Sequence, residues 1–248
     1  MTVMWLVLAQ DNDVEARWIA AGLRARSTRP VALVTAAMLV HDCRWEHRVG
    51  AAGASSRLVL GDGTVLDPTT VDGVVNRLCW LGADGFAGAS ARDREYATGE
   101  LNALGLSWLT SLGGRVVNRP AGNGLAGSWR RMAEWRGLAR GVGLPAVPYD
   151  SDQPEMATGG TDRVVLVLDG EVIEGGGPAA PGPGLTPADR GALVALQRAS
   201  GLDLLDVHLG AGERLALRSA SFLPAMSRFG DAGLDALQRA LTRRGAGR

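Results

Sequence analysis

Apolar and polar positions along the 248-residue chain follow two rhythms, short unbroken apolar runs and longer stretches with apolar residues at helical spacing. Residues 3–9, VMWLVLA, are the first run; DND supplies a cap, and VEARWIAAGLRARS carries the helical spacing, so a strand and its helix are expected. PVALVTA reads as a second buried strand, and SSRLVLGDGTVLD as a hairpin turning at Asp62-Gly63. Residues 71–78, VDGVVNRL, form another β-rich run that stops at the polar pair Asn76-Arg77. Ser90 with Asp93 opens a long helix through REYATGELNALGLSWLTSL, and Gly113-Gly114 closes it. RVVNRP at 115–120 follows as a short strand. This alternation predicts a small α/β layer with a mainly parallel sheet.

A second region begins near residue 121. SWRRMAEWRGLARGVGL is helical, PAVPYDSDQPEMATGGTD is a polar, turn-rich connection, and RVVLVLDGEVIEGG gives two strands around Asp169-Gly170. GGGPAAPGPG at 175–184 reads as a loop that either covers a site or spans a gap. Thr186, Pro187 and Asp189 cap the helix ADRGALVALQRAS. The strands LDLLDVHL and RLALRSASF precede a last helix from Asp231 to Arg244. The expected domains are therefore 1–120, a small Rossmann-like α/β domain, and 121–248, an α+β domain.

Composition narrows the function classes. Acidic and basic residues balance at 26 each, so no overall field draws the protein to nucleic acid or to an anionic membrane. The longest apolar runs, at 4–9 and 30–40, fall short of the roughly 20 residues that a membrane helix needs. The opening MWLVLAQDND reads as a strand and cap rather than a leader, and Cys43 and Cys79 make no disulfide framework, so a reducing, cytoplasmic setting is expected. All 26 basic residues are arginines. Chemistry that requires a lysine amine, as a Schiff base or a compact phosphate-binding charge, is excluded.

The pieces VVNRL at 74–78, DREYATGELNAL at 93–104, VVNRP at 116–120 and GVGLPAVP at 141–148 come in that order. They are followed by GLDLLDVHL at 201–209 and LRSASFLP at 217–224. In this order and in these motifs the chain resembles the ATP-grasp superfamily, and within it the peptide-modifying and amino-acid ligases related to glutathione synthetase and ribosomal-protein glutamate ligases. The resemblance implies a pre-ATP-grasp domain followed by an ATP-grasp-like domain, and a substrate-side Arg at a strand end, where Asn76 and Arg77 either bind a ligand or serve as a structural ion pair or loop anchor. Asn118 and Arg119 end the next strand, either beside a ligand or in a hydrogen-bonded turn.

The departures from the family pattern carry more information. ATP-grasp ligases make an acyl phosphate, which needs Mg²⁺ between carboxylates and the triphosphate, and lysines on the phosphates. By the resemblance, the metal-binding Asp falls at His208, and the Glu and Asn fall at Ser219 and Ser221. The family's earlier lysine falls near Arg130 and Arg131, where Arg could still grip a phosphate or carboxylate. Its lysine-bearing subdomain has only Tyr149–Asp162 to occupy, so the second domain is expected to be truncated. The expected function is a non-catalytic ATP-grasp-like protein in peptide modification or specialised metabolism. It takes no cofactor and binds a peptide, small molecule or partner enzyme, as a homodimer or hetero-oligomer. The alternative is an atypical ATP-dependent carboxylate–amine ligase using ATP and Mg²⁺.

Other candidates carry less. AGNGLAG at 121–127 could offer backbone N–H groups to an anion but lacks a P-loop lysine. His41, Cys43 and His47 match no zinc spacing and read as loop and surface residues. Asp206 and His208 alternate on one strand, as a general-base dyad or a hydrogen-bonded pair. Trp129 and Trp135 fall on different faces of one predicted helix, so one of them marks a partner surface or both serve packing.

Overall fold

A computed structural model describes residues 3–51, 53–83, 86–147, 163–176, 184–210 and 215–246. The chain divides into two compact units, Met1–Ser128 with Gln238–Arg248, and Trp129–Leu237.

The first unit contains β1 (Met4–Ala9), α1 (Val14–Arg26), β2 (Val31–Thr35), α2 (Ala36–His41), β3 (Cys43–Gly50) and β4 (Gly53–Leu60). It continues with β5 (Val65–Leu66), β6 (Val71–Asn76), α3 (Ala91–Ser111) and β7 (Val116–Val117). β2, β1, β6 and β7 form a parallel sheet in that order. β1 and β6 are its central strands and nearly every residue in them is buried, which explains the continuous apolar run of β1 and requires that the polar Asp72 and Asn76 of β6 find partners. Gly73 is required in β6, because a Cβ there would lie 2.9 Å from the Leu241 side chain and 3.1 Å from that of Trp5. Asp72, buried in the same strand, pairs with Arg29, whose guanidinium also lies 5.7 Å from the centre of the Trp5 ring. Asp13 caps α1, its carboxylate accepting from Ala16 N at 2.9 Å, as the DND triplet led one to expect.

Residues 41–47 are not loop. His41 ends α2, while Cys43 and His47 lie on β3, which pairs antiparallel with β4 in a ribbon completed by β5. The strand alternates, with Arg44, Glu46 and Arg48 exposed and Cys43, Trp45 and His47 half-buried. Its inner residues fasten it: Trp45 Nε1 donates to Leu39 O at 2.8 Å, and its ring meets the buried Trp108 ring edge-on with centroids 5.4 Å apart. The two ring nitrogens of His47 sit 2.7 Å from Ser56 Oγ and 2.8 Å from Ser107 Oγ, tying the ribbon to α3.

The second unit contains α4 (Met132–Gly141), β8 (Arg163–Leu168), β9 (Glu171–Glu174), α5 (Pro187–Ser200), β10 (Leu204–Gly210) and β11 (Ala216–Ser221). The chain passes back to the first unit within α6 (Gly230–Ala246). β11, β10, β8 and β9 form an antiparallel sheet in that order. One face, carrying Val165, Val167, Leu205 and Val207, packs with Trp135 and Ala139 of α4 and Leu193 and Leu196 of α5. The expected cap forms at Thr186, whose hydroxyl accepts from Asp189 N at 3.2 Å while Asp189 accepts from Thr186 N at 2.9 Å. The turn at Asp169-Gly170 has φ of 50° and 83°, the left-handed pair that a tight hairpin requires. The architecture is thus mixed α/β, a parallel sheet followed by antiparallel ones. Among the described residues no helix is long and apolar enough to cross a membrane.

Candidate functional site

At the C-terminal edge of the parallel sheet, β6 delivers Asn76 and Arg77. Arg77 Nε donates to Asp13 Oδ2 at 2.7 Å and Nη2 to Asp13 Oδ1 at 3.2 Å, and the Arg77 side chain is only 6% exposed. The Asn76 amide donates to Asn118 O at 3.1 Å and Leu125 O at 2.7 Å, while its Oδ1 accepts from Leu78 N at 3.3 Å. Asn118 is buried beside it with φ of 57°, a left-handed conformation that Asn tolerates better than most residues, and Arg119 is exposed. Asn76 and Asn118 are therefore brought together, and Arg77 is locked to the cap of α1.

The same Asn76 amide anchors the 121–125 segment, where Ala121 and Gly124 bridge each other and Leu125 N donates to Cys79 O at 3.3 Å. These residues belong to the first unit, and the helix that follows starts only at Met132. Burial pushes the Cys79 thiol up from its ordinary pKa, against the opposing charge of Arg77. Two cavities open at this edge, of about 450 and 480 Å³, and both are lined by Trp80. Gln10, Asp11 and Trp80 were not singled out from the sequence. The available signal was their place immediately after the apolar runs of β1 and β6, where open parallel sheets bind ligands.

In the second unit, β10 and β11 bring together the positions that the resemblance assigns to metal ligands. His208 pairs in register with Ser219, and Asp206 with Ser221. All four lie on the face turned away from Val207, Ala220 and the packed core. His208 Nε2 is 3.5 Å from Asp206 Oδ2, and both residues are buried. Among the described residues Asp206 Oδ1 and His208 Nδ1 are buried without a hydrogen-bond partner, while Ser221 Oγ accepts from Leu223 N at 3.1 Å. The donor set is one carboxylate, one imidazole and two hydroxyls. Mg²⁺ is a hard cation that takes octahedral oxygen ligands anchored by carboxylates, so this set does not fit a Mg²⁺–triphosphate centre. Among the described residues, no three His, Cys, Asp or Glu side chains gather as a metal site.

Arg130 and Arg131 precede α4. The Arg130 guanidinium stacks over Trp135 at 5.6 Å with a buried Nη1 that has no partner among the described residues, whereas Arg131 is exposed and its N–H donates to Glu134 at 2.7 Å. Trp129 is exposed and Trp135 buried. The Tyr149–Asp162 connection, and residues 177–183 of the Gly/Pro-rich stretch, lie outside the described residues.

No protein-family model and no curated protein matches the sequence. Solved structures do match in three dimensions. Macrocyclase MdnC from Microcystis aeruginosa, bound with precursor peptide MdnA, superposes with a TM-score of 0.72 at 12% identity, over 97% of this chain and 100% of its own. The chain has the fold of the ATP-grasp ligases. ATP-grasp ligase PsnB, complexed with a minimal precursor, gives 0.65 at 16% identity over 98% of both chains. A RiPP-associated ATP-grasp ligase from Chryseobacterium gregarium, in complex with ADP and a leader and core peptide, gives 0.68 at 9% identity over 99% of this chain and 95% of its own. At such identities the ATP-grasp likeness fixes the fold and leaves the chemistry to the side chains.

Proposed function

We propose that this chain is a non-catalytic protein of ATP-grasp fold that binds a peptide and works in peptide modification without ATP or Mg²⁺. One observation carries the reading: on the β10–β11 face, the positions that the resemblance assigns to metal ligands hold His208, Ser219 and Ser221. The absence of lysine anywhere in the sequence supports it, because no ammonium is available for the phosphates. The three solved structures named above are each complexed with a precursor or its parts, which supports a peptide as the ligand. The proposed assembly is a homodimer or a complex with a partner enzyme.

The second reading, an atypical ATP-dependent carboxylate–amine ligase, is favoured by the carboxylate of Asp206, whose Oδ1 is buried without a partner among the described residues. Calorimetric titration of the purified protein with ATP and Mg²⁺, alongside light scattering for the oligomeric state, separates the two. The first reading expects no saturable heat. Saturable, Mg²⁺-dependent binding would overturn it in favour of the ligase.

A further inference from the structure

We infer that the two cavities flanking Trp80 form a bipartite side-chain site that takes a basic residue of a bound peptide in one compartment and its apolar neighbour in the other. The inference rests on the peptide-binding reading above and gives it a place and a specificity. The site lies where β1 and β6 run parallel at the middle of the sheet, with one crossover leaving toward β2 and the rest of the chain toward β7. Open parallel sheets form a crevice at such a switch point, beyond the C-terminal ends of the strands.

The first compartment, about 450 Å³, is lined by Gln10, Asp11, Asn12, His41 and Trp80 together with the start of α2. Each compartment has the size of a small-ligand pocket. Among the described residues no arginine lines the first one, so it does not suit a phosphate or carboxylate. Its fixed charge is the Asp11 carboxylate. Oδ1 accepts from Ala37 N at 3.0 Å, which orients the group, and the second oxygen has no partner among the described residues. Arg17 is held at the Asp11 backbone carbonyl, Nη2 to O at 2.6 Å, and does not line the cavity.

The wall is Trp80, 48% exposed, with its carbonyl pinned by Gln10 Nε2 at 2.9 Å. A carboxylate and an indole that line one cavity attract a guanidinium or ammonium by charge and through the ring quadrupole. The second compartment, about 480 Å³, is lined by Ala103, Leu106 and Leu125 together with Gly122, Asn123 and Gly124. The Asn102 side chain that also lines it is already hydrogen-bonded to Leu81 and Thr98. That compartment suits an apolar side chain.

The test uses the full-length, ¹⁵N-labelled protein and two blocked tripeptides, acetyl-Ala-Arg-Leu-amide and its counterpart with Glu in place of Arg. The Trp80 indole N–H resonance is assigned by comparison with Trp80→Phe. The Arg peptide is expected to move that resonance saturably and the Glu peptide to leave it in place. Asp11→Asn keeps an oxygen for Ala37 N and removes only the charge, so it should raise Kd for the Arg peptide about fivefold, as loss of a partly exposed ion pair does. Equal shifts from both peptides, an unchanged Kd in Asp11→Asn, or no movement of the Trp80 resonance at millimolar peptide would each overturn the site. Movement confined to other resonances would do so while leaving peptide binding standing. Neither outcome depends on nucleotide, so the ATP titration stands apart from it.

Discussion

Arg77 at the end of β6 and Asp13 at the start of α1 are joined by two hydrogen bonds, of 2.7 and 3.2 Å, across 64 residues of sequence. Asp13 also caps α1. The pair thus fixes the helix N-terminus against the edge of the sheet, and removing Arg77 leaves the Asp13 carboxylate, whose side chain is 14% exposed, without its cation. Arg77→Met is predicted to lower stability by about 3 kcal/mol, read from the urea midpoint of unfolding. A midpoint that stays put would return Arg77 to the ligand-binding role suggested by the resemblance.

Asn76 performs a related task for the 118–125 segment. Asn76→Ala leaves the carbonyls of Asn118 and Leu125 without their buried donor, at a cost of about 2 kcal/mol. The loss should also be local. Amide exchange at Leu125, whose N–H is bonded to Cys79 O, is expected to accelerate more than exchange in β1. Uniform acceleration throughout the first unit would contradict this anchoring role.

Most strands and caps of this chain were legible because they are written in local sequence. MWLVLA can only be a buried strand at that length, and Thr186 with Asp189 carries its cap within four residues. β3 was missed for the opposite reason. Its outward positions are charged, and its inward ones, Cys43, Trp45 and His47, find their partners on α2, β4 and α3, which no local pattern announces. The same holds at the site. The spacing of Asp206 and His208 puts them on one face, but their meeting with Ser219 and Ser221 depends on the register of β10 with β11. Asn76 read equally as ligand residue or anchor because its bond partners lie 42 and 49 residues away.

Cys43 offers a pH test. Burial pushes its thiol up from 9.0 to about 11, against a weaker opposing hydrogen bond from the Val59 backbone. The folded state therefore holds its proton where the unfolded chain has lost it. The associated stability is complete below pH 9, and falls as pH rises from 9 toward 11. With no lysine in the chain, the other groups that titrate in that window are two tyrosines and Cys79, whose thiol burial also raises. The urea midpoint should decline across it, and Cys43→Ser should lessen the decline, leaving the part that belongs to Cys79. An equal decline in the variant would place the cause elsewhere.

The face that the resemblance assigns to a metal can be tested by placing there the carboxylates that the resemblance says it lacks. His208→Asp with Ser219→Glu would place two new carboxylates beside Asp206 on adjacent strands, since 208 and 219 are register partners. Without a cation, three like charges on one face repel one another and the variant should unfold at a lower temperature than the parent. Mg²⁺ would relieve that repulsion and bind the folded state alone, so millimolar Mg²⁺ at constant ionic strength should raise its Tm by about 3 °C, roughly 1 kcal/mol for a chain of this size. The parent, with one carboxylate, an imidazole and two hydroxyls, is expected to show no such rise. A Mg²⁺-dependent rise in the parent would mean that Asp206 and groups beyond those described already make a hard-cation site, and the ligase reading would then lead.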